Sequence, residues 1–341
     1  MKRIYCLLSF SVLLFGCSSV TNMDDVRFVS YNDFGDIFEL KGEIFELDSV
    51  WKPERIFSID SLLILTDRTC DNIVQIFNKS NRHLVGQNLP YGIGPNEKLS
   101  CWSIQFSDNK VYTFDLQMGD LSEFDKYAFF SKRGVGYKTA ISIPGATDIL
   151  ALNNGKYAAF HFEDDDSMLS LYDSSGKREN IQVDFPQINL GQMLTNFQKR
   201  KFYETRLYYN SKNDKVFVTY LCTDLFDIYD SNLKLLHRIY GPDHFIPNLK
   251  INSMTIGPTK DTKYSSVCSC LTDNYIWVLY NGTNDINHTD IVLVFDYQGN
   301  PIRMYHLDTP IHGIAVDEKE KAIYCIGEKP ELCVMKFSYE E

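Results

Sequence analysis

A strand–turn–strand unit that recurs along the chain constrains the fold more than any other feature of the sequence. In residues 291–306 a β-branched and apolar run ends in an aromatic residue and Asp296, a turn with Gly-Asn follows, and a second strand begins at Pro301. Glycine and asparagine tolerate the backbone angles of tight turns, so apolar runs on both sides of such a turn predict a β-hairpin.

An aromatic residue followed by Asp or Asn marks the same place in five hairpins and a degenerate sixth. These pairs are Phe77-Asn78, Phe124-Asp125, Tyr172-Asp173, Tyr229-Asp230, Phe295-Asp296 and Phe337-Ser338. Successive pairs are separated by 47, 48, 57, 66 and 42 residues. A period of about 40 to 50 residues in an all-β chain is typical of the blades of a β-propeller.

Two further strand-like runs precede each pair, and an outer run follows most of them. The innermost runs are 55–59, 102–106, 148–152, 205–209, 264–268 and 312–316. The second runs are 62–66, 111–114, 157–162, 216–220, 275–279 and 322–326. Four strands in each of six units predict an all-β, six-bladed β-propeller with four-stranded blades. A β-sandwich and a seventh, partial blade are the alternatives.

The last unit lacks a fourth strand because the chain ends soon after Phe337. Two strand-like runs near the N-terminus, 37–40 and 44–47, belong to no blade. We expect one of these N-terminal strands to complete the last blade, which closes the ring and removes an open edge. The propeller domain is therefore predicted to comprise residues 26–341.

The N-terminus is predicted to be a targeting segment. Two basic residues precede an apolar run at 4–15, which is shorter than the roughly 20 residues of a membrane span but suits a signal peptide. The run ends at Cys17 and resembles a bacterial lipobox, although Phe15 is bulkier than the usual residue there. Residues 1–16 are thus a predicted lipoprotein signal peptide, and 17–25 a polar tether. A plain signal peptide is the alternative.

The negative net charge of the chain excludes nucleic acid as a partner. Cleavage before Cys17 removes Lys2 and Arg3 and changes the formal charge from −11 to −13. So acidic a protein is unsuited to nucleic acid, and its membrane attachment would come from the lipid on Cys17 rather than from a basic face. The predicted location is the bacterial outer membrane, facing the periplasm or the surface.

Two short motifs add a family resemblance. Residues 312–317 and 322–324 resemble the opening of an NHL repeat, and residues 92–97 resemble a Gly-x-Gly-Pro-Gly-Glu loop of propeller lipoproteins, with Asn96 in place of the last Gly. The chain resembles six-bladed propeller lipoproteins of the TolB-like and NHL-like kind. The resemblance implies the fold and a place in the envelope but no activity, because propellers carry unrelated functions.

The lengths of the connections suggest a working face. With strands named A to D from the channel outwards, the predicted A–B and C–D turns are short, and the long connections are all B–C or D–A. The long ones are 88–100, 132–147, 184–204, 241–263 and 281–290. Long loops in compact domains are commonly functional, so this long-loop face is predicted to bind the ligand, and the opposite, short-turn face is not.

Five polar residues are the candidates on that face. Asp67, Arg68, Asp115 and His161 follow the B strands of the first three blades, and His312 enters from the last D–A connection. We expect them to meet at the channel mouth. The planar fork of Arg68 suits a carboxylate or a sugar oxygen, whereas local pairing with a neighbouring aspartate is the alternative.

No catalytic or metal-binding pattern accompanies these candidates. The chain lacks a Gly-x-Ser-x-Gly elbow and paired His or Cys at metal-ligand spacing, so we predict no cofactor and no metal. The prediction is a binding or scaffolding module for a glycan, a peptide or a protein. A hydrolase or lyase that acts on a polysaccharide or peptide at the channel mouth is the alternative.

Two local features complete the predictions. Leu190, Met193, Leu194 and Phe197 are spaced for an amphipathic helix, which the basic run at 199–201 follows. Cys325 and Cys333 lie on neighbouring predicted strands, where either a disulfide or two buried thiols fits.

Overall fold

The computed structural model describes residues 26–48, 50–131, 135–162, 166–187, 194–251 and 256–340. In this part of the chain six sheets form the blades of a propeller, which confirms the all-β, six-bladed prediction. The predicted signal peptide and the lipid-bearing Cys17 lie outside the described residues.

Three short strands separated by a 3₁₀ turn at Tyr31–Phe34 begin the described chain: β1 (Val26–Phe28), β2 (Ile37–Leu40) and β3 (Gly42–Ile44). Blade 1 contains β4 (Arg55–Ile59), β5 (Leu62–Thr66), β6 (Asn72–Asn78) and β7 (Leu84–Pro90). Blade 2 contains β8 (Ser103–Phe106), β9 (Lys110–Asp115), β10 (Asp120–Asp125), helix α1 (Lys126–Ser131) and β11 (Lys138–Ser142). Blade 3 contains β12 (Ala146–Ala151), β13 (Tyr157–His161) and β14 (Ser170–Tyr172).

Helix α2 (Asn196–Phe202) leads to blade 4, which contains β15 (Thr205–Asn210), β16 (Lys215–Tyr220), β17 (Leu225–Asp230) and β18 (Leu235–Tyr240). A separate hairpin, β19 (Leu249–Ile251) and β20 (Ile256–Pro258), lies between blades 4 and 5 in the chain. Blade 5 contains β21 (Ser266–Leu271), β22 (Ile276–Tyr280), β23 (Ile291–Phe295) and β24 (Pro301–Leu307). Blade 6 contains β25 (Ile311–Asp317), β26 (Ala322–Glu328) and β27 (Leu332–Ser338).

The recurring aspartate has a structural cause. Asp296 Oδ1 accepts hydrogen bonds from the backbone nitrogens of Gln298 and Asn300, at 2.9 and 2.8 Å, and so holds the C–D turn of blade 5. Asp173 and Asp230 hold the turns of blades 3 and 4 in the same way. The repeat visible in the sequence is therefore a turn cap that follows each third strand.

The N-terminal strap, residues 26–47, closes the ring. Strand β3 pairs antiparallel with β27 as the fourth strand of blade 6, which confirms closure by an N-terminal strand. Strand β2 pairs parallel with β24, and β1 pairs parallel with β18, so blades 4 and 5 have five strands rather than four. The strap thus covers three sheet edges that would otherwise expose unpaired backbone groups.

The prediction that every long connection is B–C or D–A is wrong for 132–147. This stretch contains β11, the outer strand of blade 2, and the extended link is the C–D connection that carries α1. The reason lies in the composition of β11, in which Ile141 is the sole strongly apolar residue and the alternation is weak. Blade 3 also differs, because beyond β14 it has a single bridge, from Tyr172 to Arg178.

Helix α2 begins later than the apolar spacing predicts. Thr195 caps it, since its hydroxyl accepts from Gln198 N at 3.2 Å and the Gln198 side chain accepts from Thr195 N at 2.9 Å. Leu194 packs against the core before the helix, whereas Phe197 on the helix is 43% exposed. Leu190 and Met193 lie outside the described residues.

The basic run after the predicted helix lies within α2, and one of its residues is an anchor. Arg200 is fully buried and donates from Nη1 to the carbonyl oxygens of His161, at 2.6 Å, and Met168, at 3.2 Å. Its Nη2 donates to the carbonyl oxygen of Ser167. This guanidinium therefore attaches α2 to the B–C connection of blade 3.

Cys325 and Cys333 are free thiols rather than a disulfide; Cys325 is buried, as the buried-thiol alternative predicts, whereas Cys333 is partly exposed. Neither helix of the described chain is long and apolar enough to span a membrane.

Candidate functional site

The side chains of Asp67 and Arg68 both form hydrogen bonds with nearby groups. Asp67 is buried, and its Oδ2 accepts from Lys52 N at 2.6 Å while its Oδ1 accepts from Thr69 N at 2.8 Å. Arg68 Nε donates to Glu54 Oε1 at 2.8 Å, so its partner is Glu54 rather than a neighbouring aspartate.

Asp115 organises the loops around it. One of its oxygens, Oδ2, accepts from Leu99 N at 2.8 Å, and Oδ1 accepts from Ser100 Oγ at 2.7 Å and from Gln117 N at 3.0 Å. The side chain is buried. Asp115 thus ties the D–A connection of blade 1 to the B–C turn of blade 2.

The two candidate histidines lie in separate blades. His161 is buried, and its Nε2 is 2.8 Å from Ser170 Oγ on the adjacent strand. His312 Nε2 lies 3.7 Å from Glu328 Oε1 on the neighbouring strand of blade 6. None of the five candidate residues lines the central cavity, and the structure does not bring them together. A role for them in binding stays a prediction.

A cavity of about 1020 Å³ occupies the central channel. Its walls are the inner strands β4, β8, β12, β15, β21 and β25, and it continues to the A–B turns, among them Asp60-Ser61, Ser211-Lys212 and Asp273-Asn274. It also extends outwards along blade 5, where Trp277, Val294, Ile302, Arg303, Tyr305 and Tyr339 line it. No described residue of the long connections lines it. The cavity therefore opens at the short-turn face.

Two arginines stand against one tryptophan where the inner strands begin. Arg55 is the first residue of β4, Trp102 precedes β8, and Arg206 is the second residue of β15. The guanidinium carbons of both arginines lie 3.9 Å from the centre of the Trp102 ring, so they are at most twice that distance, less than about 8 Å, apart. We call Arg55 and Arg206 the arginine pair.

The arginine pair makes no hydrogen bond or ion pair with any described residue. Burial and the neighbouring Arg55 charge lower the pKa of Arg206, although an arginine stays protonated at any physiological pH. Each guanidinium has five N–H donors, so the stacked pair presents a set of donors that the described protein groups leave unused.

Asp148 is the acidic neighbour of the pair. It is buried, and its Oδ2 accepts from Leu207 N at 2.9 Å, while no described group donates to its Oδ1. Burial raises the pKa of Asp148 to about 6, and the hydrogen bond from Leu207 and the charges of Arg206 and Arg55 oppose that rise. The carboxyl therefore changes its charge close to neutral pH.

Two neutral polar groups on β8 are also unsatisfied. Gln105 Oε1 accepts from Ala151 N at 2.8 Å, but within the described chain Gln105 Nε2 and Ser103 Oγ have no hydrogen-bond partner. Buried polar groups without partners are uncommon in proteins. The start of the inner strands therefore combines two cations and one acid of near-neutral pKa, with unsatisfied polar groups buried in the wall of β8.

The sequence indicates this site through the first residues of the inner strands, and not through the residues of the loops. When the predicted inner runs are aligned, Arg55, Trp102 and Asp148 each take the first position of their run, and Arg206 takes the second of its own. Charged and polar residues near the start of several inner strands indicate a shared site in the channel, although His312, which also begins its run, does not line the cavity. In the described chain, no three His, Cys, Asp or Glu side chains are grouped so as to hold a metal ion.

Comparisons with known proteins agree with this fold. The family model of the TolB-like six-blade propeller matches residues 33–319. A solved structure of a Bacteroides fragilis protein described as exported has a TM-score of 0.55 and 12% identity, covering 93% of this chain and 99% of that one. A member of the duf4221 family from Bacteroides vulgatus has a TM-score of 0.50 and 10% identity, with 88% and 96% covered. No curated protein matches the sequence.

The match of the family model extends over most of the chain, from the strap to the A–B turn of blade 6. The likeness to the solved structures shows the fold alone. The chain belongs to the family of TolB-like six-bladed propellers.

Proposed function

We propose that this protein is a binding module whose ligand occupies the central channel from the short-turn face. The observation that carries the proposal is the arginine pair, whose stacked guanidiniums have no hydrogen-bond partner in the described chain. A cavity of about 1020 Å³ holds a small ligand or the end of a glycan or peptide chain. Binding by the long-loop face through Arg68 remains a separate proposal for a larger protein partner.

The proposal also places the module on the bacterial envelope through a lipid on Cys17. Its support is the apolar run that ends at this cysteine and the acidic charge of the mature chain, which offers no basic face to a membrane. The strap runs from residue 26 onwards along the outer edges of the blades, so a lipid tether would leave the channel free.

Asp148 favours the enzyme alternative as a second candidate. A buried carboxyl whose pKa is about 6 can give or take a proton near neutral pH, which a hydrolase or lyase requires of its general acid or base. No second group with a matching role stands beside it among the described residues that line the channel. Binding without reaction is therefore the proposal that the geometry supports better.

Two cysteines allow the position of a ligand to be tested. Cys268 lines the channel, and Cys70 lies in the B–C turn of blade 1, beside Arg68 on the long-loop face. Both thiols are partly exposed. A panel of succinate, inorganic phosphate, glucose and a dipeptide is screened by thermal shift, and each hit is mapped by iodoacetamide labelling with mass spectrometry.

We expect a hit to slow the alkylation of Cys268 several-fold and to leave that of Cys70 unchanged. A hit that protects Cys70 and not Cys268 would place binding on the long-loop face and overturn the channel proposal. A panel without any hit would count against a small-molecule role and favour scaffolding.

A further inference from the structure

We infer that the base of the channel is an oxyanion site, in which Arg55 and Arg206 together hold a carboxylate or phosphate group of the ligand. The inference deepens the proposed function and depends on it, because the ligand must enter the channel for this group to reach the arginine pair.

Two other arginines of the chain show how exceptional the pair is. Arg238 forms a two-pronged ion pair with the buried Asp227, with both N–O distances at 2.7 Å. The buried Arg200 donates to three carbonyl oxygens. The arginine pair, which is partly exposed, has no such partner in the described chain and brings two like charges together, so a bound anion would offset their repulsion.

The geometry suits a single oxyanion. Both guanidinium carbons lie 3.9 Å from the centre of the same ring, so their separation is at most about 8 Å. Charged N–H···O hydrogen bonds of about 2.8 Å from each fork would let one carboxylate or phosphate at the ring edge bind both. The Trp102 ring limits the movement of both guanidiniums, so little rotamer freedom is lost on binding.

The acidic residues nearer the mouth do not block an anion. Three of them already have partners: Asp273 accepts from Lys212 Nζ at 2.7 Å, Asp317 pairs with Lys79, and Glu318 accepts from Asn274 Nδ2 at 2.8 Å. The lysines thus offset the charge of Asp273 and Asp317, whereas Glu318 is held by neutral donors and keeps its charge. The unpaired positive charge lies at the other end of the channel, at the start of the inner strands.

Asp148 adds a dependence on pH. Burial raises its pKa, and the backbone N–H groups of Leu207 and Ile149 and the cations Arg206 and Arg55 oppose that rise; Tyr208 is a further titratable group beside it. With Asp148 ionised, its negative charge offsets one of the two cations; with Asp148 protonated, both charges are available to a ligand. Because its pKa is about 6, anion affinity should rise as the pH falls through that value.

The test is calorimetric titration of the full folded domain with succinate and inorganic phosphate, and with succinamide as the neutral analogue of succinate. We expect succinate to bind at least about tenfold more tightly than succinamide, and Arg206→Gln and Arg55→Gln each to weaken it by about tenfold or more. Phosphate and succinate compared in this way show which oxyanion the site prefers. Arg206→Lys keeps the charge and should restore part of the affinity.

Arg82→Gln is the matched control. Arg82 also stacks on an aromatic ring, that of Phe45 at 4.7 Å, but it is exposed at the outer C–D turn of blade 1 and should leave succinate affinity unchanged. Measured at about pH 5 and about pH 8, lowering the pH should favour succinate binding more in the wild type than in Asp148→Asn, where only the titration of succinate itself remains.

The outcomes separate the two ideas. Equal binding of succinate and succinamide with protection of Cys268 would overturn the oxyanion site and leave the channel proposal standing. Succinate binding that protects Cys70 and ignores Arg206→Gln would overturn both. Absence of saturable binding of succinate and phosphate at either pH would also overturn the oxyanion site. Should Arg206→Gln fail to fold, Arg55→Gln decides.

Discussion

Deletion of residues 26–47 will leave a domain that fails to fold or melts at least about 10 °C below the full domain. The deletion removes β1, β2 and β3 and exposes the outer edges of blades 4, 5 and 6. It also removes four buried apolar side chains, Val29, Phe34, Leu40 and Phe45, each of which stabilises the fold by roughly 1.5–3 kcal/mol through burial. Circular dichroism melting of both proteins measures the effect.

Single substitutions in the strap should destabilise the domain in proportion to how deeply the replaced side chain is buried. Phe45 is 4% exposed and meets the Tyr324 ring edge-on at 5.2 Å, so Phe45→Ala should lower the free energy of unfolding by about 3–5 kcal/mol. Phe28 is 56% exposed, and Phe28→Ala should cost below about 1 kcal/mol. Equal melting temperatures of the truncated and full domains would show that the strap does not close the ring.

Substitution of Cys17 by Ala should abolish acylation of the protein, because the lipid would be attached to the thiol of this residue. Lipid is the predicted means of membrane attachment of the processed chain, which lacks the apolar run at 4–15. Fractionation with mass spectrometry of the N-terminal peptide compares the wild type with Cys17→Ala, and Cys70→Ala is the matched control. An unlipidated wild-type peptide would contradict the anchor.

The blades could be predicted from the sequence because their signals are local. Each hairpin has its own alternation and its own turn cap, of which Asp296 is one example, and these residues act within a few positions of each other. Strand β11 was missed because tertiary pairing with β10, and not its own composition, makes it a strand. The additional strands in blades 4 and 5 depend on where the strap lies. The local sequence pattern of the strap does not determine that position.

The candidate site was harder to predict for two physical reasons. A polar residue after a strand often caps the next turn, and Asp67 and Asp115 do so. The arginine pair, in contrast, comes from blades 1 and 4, and its members are separated by 151 positions in sequence and by less than about 8 Å at their guanidinium carbons. The burial of Arg200 could not be predicted either, because nothing in the basic run at 199–201 distinguishes it from its two neighbours.

The three tryptophans of the chain report on three different places. Trp102 lines the channel and carries both members of the arginine pair on its ring, Trp51 is 76% exposed and lines a small pocket with Cys70, and Trp277 is buried in blade 5 beside the outward extension of the cavity. Fluorine NMR of protein labelled with 5-fluorotryptophan, with resonances assigned by Trp→Phe substitution, follows all three at once.

Titration of this labelled protein with succinate shows whether the ligand lies at the arginine pair, because a ligand held there must change the surroundings of the Trp102 ring. We expect a saturable shift of the Trp102 resonance and none of the Trp51 resonance, with the Trp102 shift lost in Arg206→Gln. A shift of Trp51 alone, or calorimetric binding of succinate without any change at Trp102, would contradict the assignment of the site to the channel.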